Sequence, residues 1–401
     1  MRILFITARL PHARVSSGHV IVWQRVRRLV ERGHEIGLVT FEGYDSAARA
    51  GEVRPMLKEL EIVPQPKPHS FGQGAVDFAF SSIPSYFYNF RSEEMMERVG
   101  DMVERSRYHI AIAEFSAMGQ YLYCNPYLPA VRKIISCHYS VATSYGKVAK
   151  LMKYSARGIR SRMSLGGLLR FEVDMYRNVD RVLVLTAQER FALLRHAPSL
   201  RISVIPCGVD TTFFQPGADA PAEERILFTG HYETDANRDA VLWFASHVWP
   251  TLKARRPNLT FYVVGPGVVP EIRELAKRDS SIIVTGEVDD LRPYLQQAKV
   301  FVCPVRLGSG LRVKLLDAMA AGVPVVSTTL GAEGIPLHTG ENCLLADKPS
   351  IIADNIDLLL SDEDLRRSIA RQARTLVQDR FSWERGIDMI EDVFGEVMAQ
   401  R

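Results

Sequence analysis

Short apolar runs, many of them β-branched, alternate along the chain with segments whose apolar residues recur every three or four positions. The first half offers strands at "RILFIT", "HEIGLVT", "HIAIAEFS", "RKIISCH", "RVLVLT" and "ISVIPC". The second half offers "RILFTG", "LTFYVVGPG", "SIIVTGEV", "KVFVCPV", "VPVVSTT" and "NCLLAD". Between them, "HVIVWQRVRRLVERG" and "DAVLWFASHVWPTLKA" carry the helical period. Strands that are continuously apolar, rather than alternating, belong to sheets covered on both faces. Strand–helix alternation predicts parallel sheets joined by right-handed crossovers.

The pattern starts twice. "PCGVDTTFFQPGADAPAEE", rich in Pro, Gly and Ala, interrupts it, and "RILFTG" then opens a second series. The expected organisation is a Rossmann-like domain over 1–205, a linker over 206–224 and a second Rossmann-like domain over 225–380. A closing helix over 381–401 is expected to pack back toward the first domain. Ligands of such sheets bind at the carboxyl ends of the strands, so the two domains are expected to face each other across a cleft.

A length of 401 residues suits two such domains, and 47% hydrophobic with 24% charged residues is an ordinary globular composition. The net charge of +4 is mildly basic, which suits a phosphate-bearing ligand or an acidic membrane surface. Five scattered cysteines without a C-x-x-C predict free thiols in a reducing compartment rather than a zinc site or disulfide framework. The opening "MRILFITARLP" reads as a first strand, because Arg9 interrupts its apolar run. With no apolar run of about 18 residues either, a cytoplasmic protein is expected.

The chemistry concentrates in "PVRLGSGLRVKLLDAMAAGVPVV" (304–326). A strand ends in Gly308 and Gly310, and a helix expected to begin near Gly310 carries Arg312 and Lys314 in its first turn. Helix N-termini ordinarily attract acids. Two cations there predict that the turn holds an anion: free N–H groups, the helix dipole and both side chains would meet a pyrophosphate, with glycines admitting it to the backbone. Gly310, Lys314, Asp317 and Ala321 would share one helical face. Asp317, about 10 Å along the axis, could reach back to a ribose hydroxyl pair. The bland alternative is a plain Gly-Ser-Gly loop with solvated cations.

This stretch resembles the signature of retaining nucleotide-sugar glycosyltransferases of family 4, whose GT-B fold comprises two Rossmann-like domains. "DAMAAGVPVV" matches the end of their motif, with Asp317 for the second glutamate. "VIPCGVDTTFF" is similar to their interdomain segment, "RFSWERGI" to their closing helix, and "ILFIT…GHVIVWQRVRRLVERGHEIGLVT" to their first strand, glycine loop and helix. Three departures stand out. Ser309 occupies the place of the first acid of the Glu-x(7)-Glu pair. His231 and Asn237 stand where the family often has Arg and Lys, and Cys207 replaces the interdomain Asn. Arg312 and Lys314 would then carry the phosphate charge, as in a subgroup reading G-x-G-x-[KR]-x-K-x-x-[ED]-A-M-A.

The resemblance implies further sites. Catalysis would rest on His138, Arg312 and Lys314. Gly18, Gly265, Val288, Gly308, Ser309, Gly310 and Asp317 would bind nucleotide and phosphate, with Ser17 in place of the first glycine of the first-domain loop. Glu333 and Gly334 would meet the donor sugar, and Glu114 the acceptor side. It implies hexosyl transfer from a UDP- or GDP-sugar to a glycan, lipid-linked or small-molecule hydroxyl, with retention, no metal and no cofactor. Developing charge on the leaving diphosphate would be stabilised by amides and cations. The single Asp-x-Asp, "DED" at 362–364, lies at a helix start, where acids suit the dipole anyway.

From Tyr139 to Phe171 the chain has no acid but carries Lys147, Lys150, Lys153, Arg157, Arg160, Arg162 and Arg170, interspersed with Leu151, Met152, Ile159 and Met163. This 147–170 segment reads either as a basic apron for an anionic membrane or a polyprenyl-diphosphate acceptor, or as a solvated helical face or mobile loop. The aromatic "SSIPSYFYNF" (81–90) could line an acceptor groove or pack in the core. No nucleic-acid partner is expected. Two other functions share the fold: a non-hydrolysing nucleotide-sugar epimerase, which would need acids such as Glu114 and Glu333 poised for elimination, and a non-catalytic scaffold, which the loss at Ser309 would favour.

Overall fold

The computed structural model describes residues 1–11, 18–43, 46–66, 83–151, 154, 156–218, 221, 223–308 and 310–400. Ser17, Ser309, Met152, Lys153 and the start of the 81–90 aromatic segment lie outside the described residues. The chain divides into two compact units, Met1–Pro206 with Gly386–Arg401, and Cys207–Arg385.

The first unit is built on a parallel seven-stranded sheet: β1 (Arg2–Thr7), β2 (Glu35–Phe41), β3 (Glu59–Val63), β4 (Ile110–Glu114), β5 (Arg132–Cys137), β6 (Arg181–Val184) and β7 (Ile202–Val204), in the order β3-β2-β1-β4-β5-β6-β7. Successive side chains of a strand point to opposite faces, so the runs of apolar residues feed two cores. Ile3 and Phe5 join one core, with Val22, Val26 and Leu29 of helix α1 (Gly18–Glu31). Leu4 and Ile6 join the other, with Met95, Met96, Val99 and Met102 of α2 (Glu93–Ser106). Ser92 caps α2 by accepting from Met95 N at 3.2 Å, and Glu93 and Glu94 occupy its first turn, where acids complement the helix dipole. Helices α3 (Val141–Leu151) and α4 (Ala156–Arg177) follow β5, and Leu168, Phe171, Met175 and Tyr176 of α4 bury in the second core.

The strand that the apolar pattern misses is β3. Glu59 and Glu61 break its hydrophobic run because β3 is an edge strand, and Arg105 reaches Glu59 at 2.6 Å and Glu61 at 3.4 Å.

The second unit holds a parallel six-stranded sheet, ordered β10-β9-β8-β11-β12-β13. Its strands are β8 (Arg225–Thr229), β9 (Thr260–Val264), β10 (Ile282–Gly286), β11 (Val300–Cys303), β12 (Val325–Ser327) and β13 (Leu344–Leu345). The helices that matter here are α5 (Asp235–His247), α6 (Val313–Ala320), α7 (Pro349–Ser361) and α8 (Glu363–Arg380). Asp362 caps α8 by accepting from Leu365 N at 2.9 Å, which gives the "DED" acid a structural task. The final helix, α9 (Trp383–Ala399), begins in the second unit, and from Gly386 onward belongs to the first. Its Ile387, Ile390, Val393, Phe394 and Val397 complete the core that contains Ile3 and Phe5. All five cysteines are free thiols, only Cys124 being half-buried rather than buried. Among the described residues no helix is long and apolar enough to cross a membrane.

In both sheets the strand order reverses once, between β1 and β4 and between β8 and β11. Crevices at the carboxyl ends of the strands at such reversals are where doubly wound sheets bind ligands.

Candidate functional site

In the second unit the residues beyond β8, β9 and β11 converge. Gly230 follows β8 and Gly265 follows β9, and Gly265 has φ +136°. A Cβ on Gly265 would stand 2.0 Å from Gly230 O, and one on Gly230 would stand 2.9 Å from Lys314 Nζ. Only residues without side chains let these two backbones and the ammonium crowd together.

Lys314 is the second residue of α6, not part of a helix beginning at Gly310. Gly308 and Gly310 have φ of +88° and +90°, left-handed values that a right-handed helix cannot include. The helix therefore starts at Val313, and Arg312 sits at its cap position. This corrects the expectation that Gly310 and Lys314 share a helical face and that Arg312 lies in the first turn. The Arg312 guanidinium curls back on its own loop, donating to the carbonyls of Gly310 and Leu307 at 3.1 Å each. A cation near the turn's amides results, but by a route other than helical periodicity.

Lys314 Nζ donates to Asn237 Oδ1 at 2.7 Å and lies 4.3 Å from the centre of the Phe228 ring. Asn237 Nδ2 in turn donates to the carbonyl of His231 at 2.9 Å. Burial pushes the Lys314 ammonium down to about 8; Arg312 adds to that, while Cys303 and Asp317 oppose it. Burial also lowers Arg312, against the attraction of Glu333. Asp317, one turn beyond Lys314, is buried. Glu333 and Gly334 lie in the turn after β12, which is buttressed by Thr328: Gly331 N donates to Thr328 Oγ1 at 2.9 Å. That turn brings the Glu333 charge to Arg312. Val288 is half-buried two residues beyond β10, on the edge strand, so it lies at the margin of this group.

The first unit carries a second group at its own strand reversal. His138 follows β5 and Glu114 ends β4. His138 Nε2 lies 2.7 Å from Glu114 Oε2, and Arg25 Nη1 donates to Glu114 Oε1 at 3.2 Å and to Ser136 Oγ at 2.7 Å. Glu114 is 1% exposed. Burial alone would raise its carboxyl, but Arg25, His138 and Ser136 hold it down at about 2. Burial lowers His138, with Glu114 opposing. The expectation that Glu114 meets an acceptor is corrected here: its oxygens are engaged by Arg25 and His138, and no surface is left to it. Arg25 went unseen in the sequence. Its signal was there, since it falls between Val22, Val26 and Leu29 on the core-facing side of α1. Gly18 opens α1.

Residues 19–213 match the family Glycosyltransferase Family 4, and residues 223–362 match Glycosyl transferases group 1. The phosphatidyl-myo-inositol mannosyltransferase of Mycolicibacterium smegmatis is 32% identical over 191 residues, 45% of this chain and 48% of that protein. The chain spans about half the length of the curated relatives it matches. Among solved structures, the sucrose-phosphate synthase of Thermosynechococcus elongatus superposes with a TM-score of 0.74 at 19% identity, over 100% of both chains. HepE of Anabaena in complex with UDP superposes with a TM-score of 0.73 at 14% identity, over 99% of this chain and 100% of that one. These likenesses establish the fold as GT-B. The chain is thus a two-domain GT-B protein whose residues 19–213 are similar to Glycosyltransferase Family 4 and whose residues 223–362 are similar to the group 1 glycosyl transferases.

Proposed function

We propose that the protein transfers a hexosyl group from a nucleotide-diphosphate sugar to a hydroxyl acceptor, with retention and without a metal ion. The observation that carries this reading is the pair Arg312 and Lys314 at the N-terminus of α6, which has no side-chain cap hydrogen bond, at the β8–β11 reversal. The Lys314 ammonium is held by the Asn237 amide rather than by a carboxylate hydrogen bond, so its charge is kept for an incoming anion. A diphosphate supplies that charge, and as a leaving group it gains the most from fixed donors as its bond to the sugar breaks.

In this reading Gly265 and Val288 flank the nucleotide, Asp317 takes the ribose hydroxyls, Gly308, Ser309 and Gly310 admit the phosphates, and Glu333 with Gly334 meets the sugar. His138 of the first unit presents its ring to a substrate hydroxyl. Glu114 acts through His138. HepE binds UDP, which supports a UDP-sugar, while the mannosyltransferase relative keeps a mannosyl donor in view.

The acceptor side of the reading includes an anionic membrane surface. On α4, Ile159 is 50% and Met163 67% exposed, and Tyr154 just before the helix is 89% exposed. Exposed Arg160, Arg162 and Arg170 flank that stripe. Apolar side chains fringed by arginines suit the headgroup region of an anionic bilayer, where lipid-linked acceptors reside.

The test is a thermal-shift series with UDP, GDP, ADP and TDP, with and without magnesium, on the wild type and Lys314→Ala. A ligand bound by the native state raises its apparent stability. One nucleotide stabilising the wild type without metal, and failing on the variant, is expected. No shift from any of them at millimolar concentration would remove the transfer reading. Binding without transfer from any corresponding sugar donor would leave a non-catalytic scaffold.

A further inference from the structure

Three features of the first unit converge on one imidazole. The first is the buried chain of charge from Arg25 through Glu114 to His138, with side-chain exposures of 4%, 1% and 4%. The second is Phe115, whose ring stacks on His138 at 4.1 Å and an interplanar angle of 20°. Phe115 holds φ +71°, a left-handed value that non-glycine residues avoid, and such strain persists only where the surroundings enforce it. The third is His138 Nδ1, which is buried and has no hydrogen-bond partner among the described residues. Buried polar atoms are ordinarily satisfied. A ring clamped on its face by Phe115 and at Nε2 by Glu114 thus keeps one buried nitrogen, Nδ1, whose hydrogen bond is still to be made.

The protonation state follows from the partner. Glu114 is a carboxylate, held so by Arg25, and a carboxylate only accepts. The hydrogen between them therefore belongs to Nε2. A neutral ring has one hydrogen, so Nδ1 bears a lone pair. Protonating Nδ1 would bury an unpaired N–H and a further positive charge close to Arg25, and burial already disfavours the imidazolium. The charged and titratable groups that bear on the ring are Glu114 of β4 and Arg25 of α1.

We propose that Arg25 and Glu114 are positioning residues that fix His138 as its Nε2–H tautomer, so that Nδ1 accepts a hydrogen bond from a substrate hydroxyl. The inference rests on the transfer reading for the identity of that hydroxyl's owner, and on the contacts of His138 with an ionised Glu114 for the tautomer. It assigns His138 a selectivity as well as a place. An acceptor nitrogen welcomes a hydroxyl and repels a phosphate or carboxylate oxygen, so His138 reads the sugar or the acceptor alcohol and not the leaving diphosphate.

Nitrogen NMR of the full chain labelled with 15N-histidine tests this without any sugar donor. The His138 signals are identified by their loss in His138→Asn. The expected result is a single Nε2–H tautomer at neutral pH. An Nδ1–H tautomer or an imidazolium would overturn the proposal and leave the transfer reading untouched. The variant Arg25→Met/Glu114→Met removes the buried pair as a unit, which spares either residue from standing as an unpaired charge. It should show mixed His138 tautomers and a transfer kcat/KM lower by about tenfold or more, the worth of one misplaced hydrogen bond. Unchanged tautomer and unchanged kcat/KM in that variant would overturn the positioning role. Should that variant not fold, two substitutions of His138 itself still decide. His138→Asn places an acceptor oxygen near the Nδ1 position and should keep about tenfold more transfer than His138→Gln, whose amide reaches toward Nε2. The reverse order would overturn the proposal. A wild type with the expected tautomer but no transfer from any nucleotide sugar would overturn the transfer reading alone.

Discussion

Lys314 Nζ donates to Asn237 Oδ1 at 2.7 Å, joining α6 to α5 across 77 residues of chain. An amide, not a carboxylate, holds this ammonium. The cation is thereby positioned but not neutralised, and its charge stays available to an incoming anion.

Nucleotide binding should then depend on pH through Lys314. Its folded value of about 8 means that the ammonium loses its proton as pH rises through that value. If the charged form binds the diphosphate, affinity for the nucleotide should fall by about tenfold between pH 7 and pH 9, one unit on either side of the titration. Titration calorimetry would show the slope in the wild type and its absence in Lys314→Met. A flat wild-type profile would mean that Arg312 and the amides bind alone.

The Arg25–Glu114 pair predicts a stability pattern. Removing one member leaves a buried unpaired charge, so Glu114→Met should destabilise the first unit by about 3–5 kcal/mol, and adding Arg25→Met should recover much of it. Glu114 is held below its ordinary range. Its contribution is thus present above that range and fades as pH falls toward about 2. Denaturant unfolding of wild type and Glu114→Gln should therefore diverge at neutral pH and draw together in acid.

Gly265→Ala tests the crowding at the strand ends. A methyl group there would stand 2.0 Å from Gly230 O, at a φ of +136°. We expect a loss of about 1–3 kcal/mol from backbone strain. We also expect weakened nucleotide binding, because Gly230 can yield only by shifting against Lys314. Unfolding and binding measured on the same variant would separate the two effects.

The exposed stripe on α4 predicts electrostatic adhesion to lipid. Wild type should sediment with vesicles containing anionic phosphatidylglycerol and not with neutral phosphatidylcholine, and high salt should release it. Ile159→Glu/Met163→Glu should abolish this binding while leaving nucleotide affinity intact. Equal sedimentation of that variant would identify the stripe as an ordinary solvated face.

Much of the architecture was legible because buried parallel strands are apolar throughout and therefore conspicuous. β3 was not, since an edge strand carrying Glu59 and Glu61 resembles a surface loop. The glycine pair and the two cations of the α6 turn could be read from the sequence as a candidate anion site. Their geometry did not follow, because the left-handed values at Gly308 and Gly310 shift the helix start by three residues. Lys314 and Asn237 are distant in sequence, and periodicity carries no information about such pairs. Arg25 was the clearest missed signal: one cation on an otherwise apolar helical face implies a buried partner, but the sequence does not say which acid supplies it.

The route of α9 has a practical corollary. The chain leaves the first unit after Pro206 and re-enters it at Gly386, and a Cβ on Gly386 would lie only 3.6 Å from Pro206 O. Topologically, then, residues 207–385 form a cassette inserted into a host whose entry and exit points nearly touch. A cassette of that kind can be cut out and its host closed with a short linker, or exchanged for that of a relative, without asking the host strands to rearrange. Swapping it would move the Lys314 half of one chain onto the His138 half of another.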